Sequence, residues 1–316
     1  MEVVQVRHAV YASIEPSARA AIAAALQALV DVSFVDSGAP ELAAQALSAA
    51  NLLLCDTTLP LAIPTAACAS LPRLAVTQLS GRAARDQMFA ALLDGVDHAC
   101  SLANVDDFRA AVTTVLTTNA SQFGLARLRA ADDIVIFRRT ITDANARHAL
   151  VQEVVGFCQV RGLSGAALSR TQSVVDEILM NAQLDAPRGA PNASATTLAP
   201  HVEWMWQDNR LLLAVTDWFG RLDKRAMITA IARARDAAGA PNPATAVGAG
   251  VGLFLVMAHV GRFIVQVEPA LRTEVVCVFD AVDRRRPARS TQRRNHDGGG
   301  VRAIHFFVVP PAAIAA

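Results

Sequence analysis

The sequence predicts an α/β protein with two domains and a short C-terminal extension. Residues 1–120 alternate short β-like runs with alanine-rich helical stretches, which is typical of an open, doubly wound parallel sheet. Residues 121–283 mix amphipathic helices with paired strands, and residues 284–316 form a basic, glycine-rich tether that ends in a β-like run. A chain of 316 residues that is 53% hydrophobic has room for two cores of ordinary size.

The first domain is expected to contain five strands and the helices between them. The strands are predicted at 3–6, 32–35, 51–55, 74–77 and 97–100, and the helices near 16–30, 39–49, 82–94 and 104–118. Ligands of a parallel sheet bind where its strands end. The residues expected there are Arg7 and His8 after the first strand, Asp56 after the third and Thr77 after the fourth.

This order resembles the receiver domain of response regulators, with Asp56 at the phospho-acceptor position and Thr77 at the switch hydroxyl. Receivers hold Mg²⁺ with an acidic pair after the first strand, where this chain has Arg7 and His8, and a guanidinium cannot bind a metal ion. Receivers also carry a lysine after the fifth strand, and this chain has no lysine before Lys224. We therefore expect a pseudo-receiver retained for protein contacts, in which His8 or Arg7 pairs with Asp56.

The second domain is organised around a helix with polar residues on its apolar side. Small or apolar residues recur at helical spacing: Thr171, Val174, Ile178 and Ala182. At about 100° per residue, Glu177, Asn181 and Asp185 fall within the same stripe. Burying such groups costs on the order of a few kcal/mol each unless they are paired. They serve either to bind a ligand or to cap neighbouring loops of the core.

Two later segments favour a ligand. Asp217 directly follows a predicted strand at 211–216, and Gly248, Gly250 and Gly252 open a second apolar helix. A carboxylate at the end of a strand can accept a hydrogen bond from an exocyclic amine, and free N–H groups at the start of a helix can hold phosphate. The two segments therefore suit the two ends of a nucleotide.

The order Glu-x-x-x-Asn, Asp-x-x-Gly and Gly-x-Gly-x-Gly-Leu resembles the N, G1 and G2 boxes of the GHKL ATPases (Bergerat fold), roughly over residues 123–283. This family includes histidine kinases, type II topoisomerases and anti-sigma-factor serine kinases. The resemblance implies a two-layer α/β sandwich that binds ATP and Mg²⁺, with Glu177 as general base and Asn181 as the metal ligand. It implies nucleotide-binding roles for these residues: Asn181, Asp185, Asp217, Gly220, Gly248, Gly250, Gly252, Leu253 and Thr273.

The chain departs from the family pattern at two places. Phe219 stands where a glycine is usual after the G1 aspartate, and Gly220 comes one residue later. Arg272 stands where a glycine is expected before Thr273, whose hydroxyl would face the nucleotide. Residues 221–247 are expected to form a mobile lid because of their alanine, proline and glycine content.

The remaining elements of the second domain follow from periodicity and turn signals. A strand is predicted at 133–138, followed by a helix that is capped by Thr142 or Asp143 and runs to about Arg161. A hairpin of 201–206 and 210–216 is predicted around Asp208 and Asn209. Further segments are predicted as a helix at 253–260 and strands at 263–267, 275–279 and 304–309. The last strand is expected to dock on a sheet edge, either in its own chain or in a neighbouring one.

The composition excludes several classes of function. A net charge of +1 argues against a general nucleic-acid binder, and no apolar run reaches the roughly 20 residues that span a bilayer. The chain does not start like a signal peptide. Five widely spaced cysteines predict neither a zinc site nor a disulfide framework and fit a reducing cytoplasm.

These observations predict a bacterial signalling protein that binds Mg·ATP and transfers phosphate to a serine or threonine of a partner, as anti-sigma-factor kinases do. The partner class would be an anti-sigma antagonist or a response-regulator-like protein, and a homodimer is compatible with the resemblance. Two alternatives stay open: a non-catalytic nucleotide-binding adaptor, and an atypical histidine kinase that would use His148. His148 lacks the acidic neighbour that such kinases carry.

Overall fold

The computed structural model describes residues 7–12, 16–27, 29–34, 50–57, 71–188, 198–238, 250–280 and 300–309. The protein is α/β, with parallel and antiparallel strands and seven helices in these ranges. Its contacts divide it into a first unit of Met1–Thr118 with Arg302–His305 and a second unit of Asn119–Val301 with Phe306–Ala316. None of the helices within the described ranges has the length and apolar character needed to cross a membrane.

The first unit is built on a parallel sheet with the strand order β2-β1-β3-β4-β5. Its elements are β1 (Arg7–Ala12), α1 (Pro16–Leu26), β2 (Val30–Phe34), β3 (Leu52–Asp56), β4 (Arg73–Thr77), α2 (Gly81–Leu93), β5 (His98–Ser101) and α3 (Val105–Thr117). The helix predicted at 39–49 and the strand predicted at 3–6 lie outside the described residues. The parallel sheet predicted for this part of the chain is therefore present, with strand boundaries shifted by up to two residues from β2 to β5.

The core of the first unit explains why its strands are continuous apolar runs. Residues 52–55 of β3 are all buried, as expected for a parallel strand that is covered on both faces. The first residues of β11 (Ala303–Val308) add an antiparallel strand to β5, so this segment pairs within its own chain. Arg302 anchors it, because its Nε donates to Asp107 Oδ2 at 2.5 Å.

One expectation for the receiver-like site was wrong. Arg7 and His8 open β1 instead of following it, and Ala12 is the residue of β1 that lies beside Cys55. At a rise of about 3.3 Å per residue, Arg7 lies roughly 16 Å along the sheet from the edge that carries Asp56. The register therefore places Arg7 and His8 at the far end of β1 from Asp56. The strand extends to Ala12, an end that periodicity alone did not place.

The second unit is built on an antiparallel sheet with the strand order β9-β10-β8-β7-β6. Its elements are β6 (Phe137–Thr140), α4 (Ala144–Val160), α5 (Gly165–Met180), a π-turn (Asn181–Asp185), β7 (His201–Gln207), β8 (Arg210–Asp217), α6 (Lys224–Ala238), α7 (Val251–His259), β9 (Arg262–Glu268) and β10 (Arg272–Asp280). The part of β11 from Phe306 onward belongs to this unit, where the N–H of Val309 donates to Val267 O at 2.8 Å.

Local signals account for most of these elements. Asp143 caps α4 as predicted, with its Oδ1 accepting from the N–H of Ala146 at 2.8 Å. Asp208 and Asn209 have φ values of 51° and 56°, the left-handed turn that a two-residue hairpin requires, which confirms that prediction. The prediction of a strand at 133–138 was wrong for residues 133–136, which precede β6. Ile134 of this segment packs against a hydrophobic cluster instead of pairing in the sheet.

The predicted lid at 221–247 is helical over much of its length. Residues 224–238 form α6, and Met227, Ile228 and Ile231 are buried on one side of it. Apolar residues at this spacing make an amphipathic helix, which outweighed the alanine and glycine content on which the lid prediction rested. Residues 239–249, including Gly248, lie outside the described part of the chain.

Polar side chains of the sheet hold the chain segment that leads into β6. Glu274 is 1% exposed, and its Oε1 pairs with Arg127 Nη2 at 2.6 Å. Its Oε2 accepts from the N–H of Gly124, also at 2.6 Å. The amide of Gln266 donates to the carbonyl of Gln122 at 2.9 Å. These contacts hold the main chain of residues 122–124 against the sheet.

Replacing Glu274 by alanine should destabilise the second unit by about 3–5 kcal/mol, because Arg127 would be left buried without its counter-charge. Chemical denaturation of the whole protein measures this change. The matched control is Glu153→Ala, which removes an exposed ion pair with Arg139 and should change the free energy of unfolding by less than about 1 kcal/mol. Equal effects of the two variants would contradict the structural role of the buried pair.

Candidate functional site

The second unit contains a cavity of about 1030 Å³ between α5, α7 and the ends of β8 and β10. Eight of the predicted site residues line it, namely the proposed base Glu177 and seven residues predicted to bind nucleotide: Asn181, Asp185, Asp217, Gly250, Gly252, Leu253 and Thr273. They come from four separate stretches of the chain. Gly220 does not line the cavity, and Gly248 lies outside the described residues.

Glu177 and Gly252 bring α5 and α7 into close contact. The carboxyl group of Glu177 occupies the space that a Cβ atom at position 252 would need, so a side chain there would displace this carboxyl group. Burial raises the pKa of Glu177, and a hydrogen bond with Asn181 partly offsets this effect. The negative charges of Asp185 and Asp176 raise that pKa further. The carboxyl group therefore lies at the first turn of α7 with only part of its hydration.

The π-turn changes the predicted geometry of the polar stripe. The Ala186 N–H donates to Asn181 O at 2.9 Å, five residues back, where an α-helix would bond four residues back. The prediction that all three polar residues are buried was wrong. Glu177 and Asn181 are half-buried at the cavity wall, whereas the Asp185 side chain is 51% exposed and pairs with Arg188 at 3.1 Å. Their polar groups therefore border a cavity open to a ligand.

Asp217 ends β8 at the other end of the cavity and lies beside Thr273 of β10. Its Oδ1 accepts from the N–H of Phe219 at 2.9 Å. Burial raises the pKa of Asp217 to about 6, although hydrogen bonds from Phe219 and Gly220 act in the opposite direction. Thr273 lies close enough to lower this pKa, yet its Oγ1 has no hydrogen-bond partner of good geometry among the described residues. Thr273 is 1% exposed, so its hydroxyl is buried at the cavity wall beside the Asp217 carboxyl group.

Gly220 has a structural role that places it away from the cavity. It has a φ of 59°, and a Cβ there would lie 2.7 Å from the N of Leu271 in the turn between β9 and β10. Its carbonyl accepts from the N–H of Ala270 at 3.2 Å. Gly220 stands one residue later than the glycine of the resembled motif, and at this position it packs against the turn between β9 and β10. Phe219, at the usual glycine position, does not line the cavity either.

The cavity also contains two arginines that the sequence analysis did not identify. Arg188 and Arg221 line its rim, and Arg221 Nη1 donates to the carbonyl of Arg188 at 2.7 Å. This bond ties the loop after β8 to the chain that follows the π-turn. Both residues lie outside the regular part of any helix or strand, so no periodic pattern pointed to them.

The hydroxyl groups of the receiver-like site have hydrogen-bond acceptors within the first unit. Asp56 and Thr77 end neighbouring strands, as predicted. The hydroxyls of Thr77 and Thr57 both donate to Gln87 Oε1 of α2, the latter at 2.9 Å. Ser101 ends β5, where receivers carry a lysine, and its hydroxyl donates to the carbonyl of Leu79 at 2.6 Å. The contact with Gln87 was missed because it depends on how α2 packs on the sheet.

Comparisons with known proteins add little to this description. No family model matches the chain, and no curated protein matches it. A solved structure of the RcsB response regulator from Salmonella typhimurium, studied for conformational dynamism in DNA interaction, is similar to part of it. The two chains share 17% identity, the similarity covers 35% of this chain and 62% of that one, and the TM-score is 0.28. This partial likeness carries no argument about function.

Gly252→Ala should destabilise the protein by about 1 kcal/mol, because its methyl group forces the Glu177 carboxyl group to move from its place beside α7. The cost should fall markedly in a Glu177→Ala background, a non-additive result expected of residues in direct contact. The matched control is Gly156→Ala in α4, where a Cβ would meet no atom within 4 Å. That substitution should stabilise the protein by about 0.5–1 kcal/mol. Thermal and chemical denaturation measure both effects, and additivity of the first pair would contradict the contact.

Asp217→Asn should raise the free energy of unfolding by up to about 3 kcal/mol at pH 7. The pKa of Asp217 is raised from 3.8 to about 6, so the folded protein binds more protons than the unfolded chain between these values. The carboxylate therefore costs stability above pH 6, and the gain from asparagine should disappear as the pH falls below about 4. Denaturation from pH 4 to 8 tests this, with the exposed Asp132→Asn as the control. A gain that is independent of pH would contradict the assignment.

Proposed function

We propose that the second unit is a GHKL-type domain that binds Mg·ATP and transfers phosphate to a serine or threonine of a partner protein. One observation carries this proposal. Glu177 and Asn181, then Asp217, then Gly250 and Gly252 come from separate parts of the chain and line a single cavity. A volume of about 1030 Å³ is large enough for a nucleotide.

The polar groups suit the two ends of a nucleotide. At one end, Asp217 can accept a hydrogen bond from the exocyclic amine of adenine, and the unpartnered hydroxyl of Thr273 lies beside it. At the other end, α7 begins after Gly250, whose φ of 118° turns the chain into the helix. The free N–H groups and the dipole at this helix N-terminus favour phosphate.

The donor set also fits a metal ion that is shared with the nucleotide. In the described residues no group of three or more His, Cys, Asp or Glu could hold a metal ion alone. Mg²⁺ commonly takes one or two protein oxygens and completes its shell with phosphate and water. The Asn181 side-chain oxygen can supply such a ligand. When bound, Mg²⁺ would neutralise charge on the phosphates.

Glu177 is the residue proposed to move the proton. Its carboxylate would take the proton from the partner hydroxyl while that oxygen forms a bond to the γ-phosphorus and the bond to the β–γ bridging oxygen breaks, releasing ADP. A pKa raised by burial makes the carboxylate a stronger base than an exposed glutamate. A pure binding module would not need a base at this position.

The first unit is proposed to act as a pseudo-receiver that contacts a signalling partner. The hydroxyl of Thr77 is held by Gln87. Receiver phosphorylation depends on an acidic pair directly after the first strand and on a lysine, and the sequence has neither an acidic pair directly after β1 nor a lysine in this unit. These observations support a role in protein contacts over phosphorylation of Asp56.

A nucleotide-binding adaptor without catalysis is the second candidate. It is favoured by the position of Gly220 against the β9–β10 turn and by the ion pair of Asp185 with Arg188. Both features separate this cavity from the family pattern. Turnover of bound ATP distinguishes the two candidates.

Calorimetric titration of Mg·ATP and Mg·ADP into wild type, Asn181→Ala and Glu177→Ala tests the proposal. Wild type should bind both nucleotides. Asn181→Ala should lose the metal-dependent part of the affinity, about ten-fold or more, because a metal-ligand oxygen is removed. Glu177→Ala should bind nucleotide but no longer turn it over.

Asn145→Ala is the matched control, because Asn145 lies on the exposed side of α4 away from the cavity. This variant should bind as wild type does. Binding without turnover in wild type, tested with a candidate partner present, would favour the adaptor. The absence of both heat and thermal stabilisation at millimolar nucleotide would overturn the proposed ATP site.

A further inference from the structure

Arg221 connects two segments that border the opening of the cavity. It follows Gly220 in the loop after β8, and its Nη1 donates to the main-chain carbonyl of Arg188, which follows the π-turn, at 2.7 Å. The two residues are 33 positions apart in the chain, and both line the cavity. The hydrogen bond therefore lies at the rim and joins one side of the opening to the other.

The two arginines differ in what neutralises their charge. The Arg188 guanidinium pairs with Asp185 at 3.1 Å. Arg221 pairs with no carboxylate in the part of the chain that the structure describes, and the side-chain hydrogen bond that it makes there goes to a neutral carbonyl. The Arg221 guanidinium is thus held in place by Arg188 without being neutralised by it.

The loop that carries Arg221 is fixed before Arg221 is reached. The N–H of Phe219 donates to Asp217 Oδ1 at 2.9 Å, and the carbonyl of Gly220 accepts from the N–H of Ala270 at 3.2 Å. These bonds restrict the position of Arg221 relative to the Asp217 carboxyl group. A group that is held in place before binding loses less conformational freedom when a ligand arrives.

The rim lies at the end of the cavity that holds Asp217. Arg221 is four residues after Asp217, and the π-turn contacts β8, the strand that Asp217 ends. Asp185 at the rim is eight residues after Glu177, which places it roughly 10–12 Å further along the helix axis. The rim is therefore well separated from the contact of Glu177 with Gly252 at the start of α7.

We propose that Arg221 is a base-binding residue whose guanidinium covers one face of the purine ring of the bound nucleotide. A base whose amine donates to Asp217 would lie beside the loop that carries Arg221. A guanidinium is planar and stacks on aromatic faces, and phosphate has its own N–H donors at the start of α7. The inference rests on the proposed function above and adds to it a residue that recognises the nucleoside part of the ligand.

Three variants test the inference. Arg221→Ala removes the guanidinium, and Arg221→Lys keeps a positive charge without the planar group. Arg188→Ala removes the other rim charge but leaves the carbonyl that accepts from Arg221. The matched control is Arg225→Ala, because Arg225 is an exposed arginine in the first turn of α6 that does not line the cavity.

The measurement is the affinity of each variant for Mg·ATP, ADP, AMP and adenosine by calorimetric titration, with competition against Mg·ATP for the weaker ligands. Arg221→Ala should lose about three- to ten-fold in affinity for all four ligands, because the stacked base is common to them. Inorganic triphosphate should bind this variant as it binds wild type. Physiological ionic strength is used because it largely screens charges about 10 Å apart.

The other variants separate stacking from charge. Arg221→Lys should bind adenosine with an affinity between those of wild type and Arg221→Ala. Arg188→Ala should change the affinity for adenosine by less than about two-fold, since the carbonyl at position 188 remains. Arg225→Ala should bind every ligand as wild type does. Arg221→Lys keeps the test decisive if Arg221→Ala fails to fold.

Equal affinities of wild type and Arg221→Ala for AMP and adenosine would overturn the inference. A loss confined to ATP and ADP, shared by Arg188→Ala and fully restored in Arg221→Lys, would also overturn it, because the rim would then act on phosphate through its charge. If wild type binds none of the four ligands, the proposed function fails and the inference fails with it. Binding by wild type with no effect of Arg221→Ala removes the inference alone.

Discussion

The contact between the Glu177 carboxyl group and the backbone of Gly252 joins α5 to the first turn of α7, and the cavity of the second unit is built around it. The carboxyl group fills the space beside the glycine, so a side chain at position 252 would push it away. This contact forms one wall of the cavity and places a partly desolvated carboxyl group at a helix N-terminus. The other wall comes from the ends of β8 and β10, where Asp217 and Thr273 lie side by side. Two helices that touch at Gly252 and the ends of two strands therefore enclose the cavity.

Strand β10 serves the site and the fold at the same time, because successive side chains of a strand point to opposite faces. Thr273 points to the cavity, whereas the next residue, Glu274, is buried on the other face and holds Gly124 and Arg127. The buried ion pair satisfies main-chain groups of the segment before β6, and removal of either partner would leave a charge in the interior. The buried contacts of Glu274 therefore hold the strand that places Thr273 at the cavity.

The cavity contains several features that oppose stability. Asp217 has a raised pKa because it is buried, the Thr273 hydroxyl lacks a partner of good geometry, and the π-turn interrupts a regular helix. Features of this kind concentrate where a ligand can compensate for them. The receiver-like site in the first unit shows the opposite character, since the hydroxyls of Thr57 and Thr77 are both satisfied by Gln87. Satisfied polar groups favour a fixed protein surface over a reactive centre.

The sequence by itself determined the features that depend on neighbours within a few residues: the cap at Asp143, the turn at Asp208 and Asn209, the amphipathic helices and most strand positions. Resemblance to known sequence motifs also named eight residues that share one cavity. The tertiary structure decided the end of β1, the π-turn after Met180, the packing of Gly220 and the rim arginines Arg188 and Arg221. These features depend on strand register and on contacts between segments far apart in the chain. Local periodicity predicts which face of a helix or strand is apolar, but it does not predict which distant segment packs against that face.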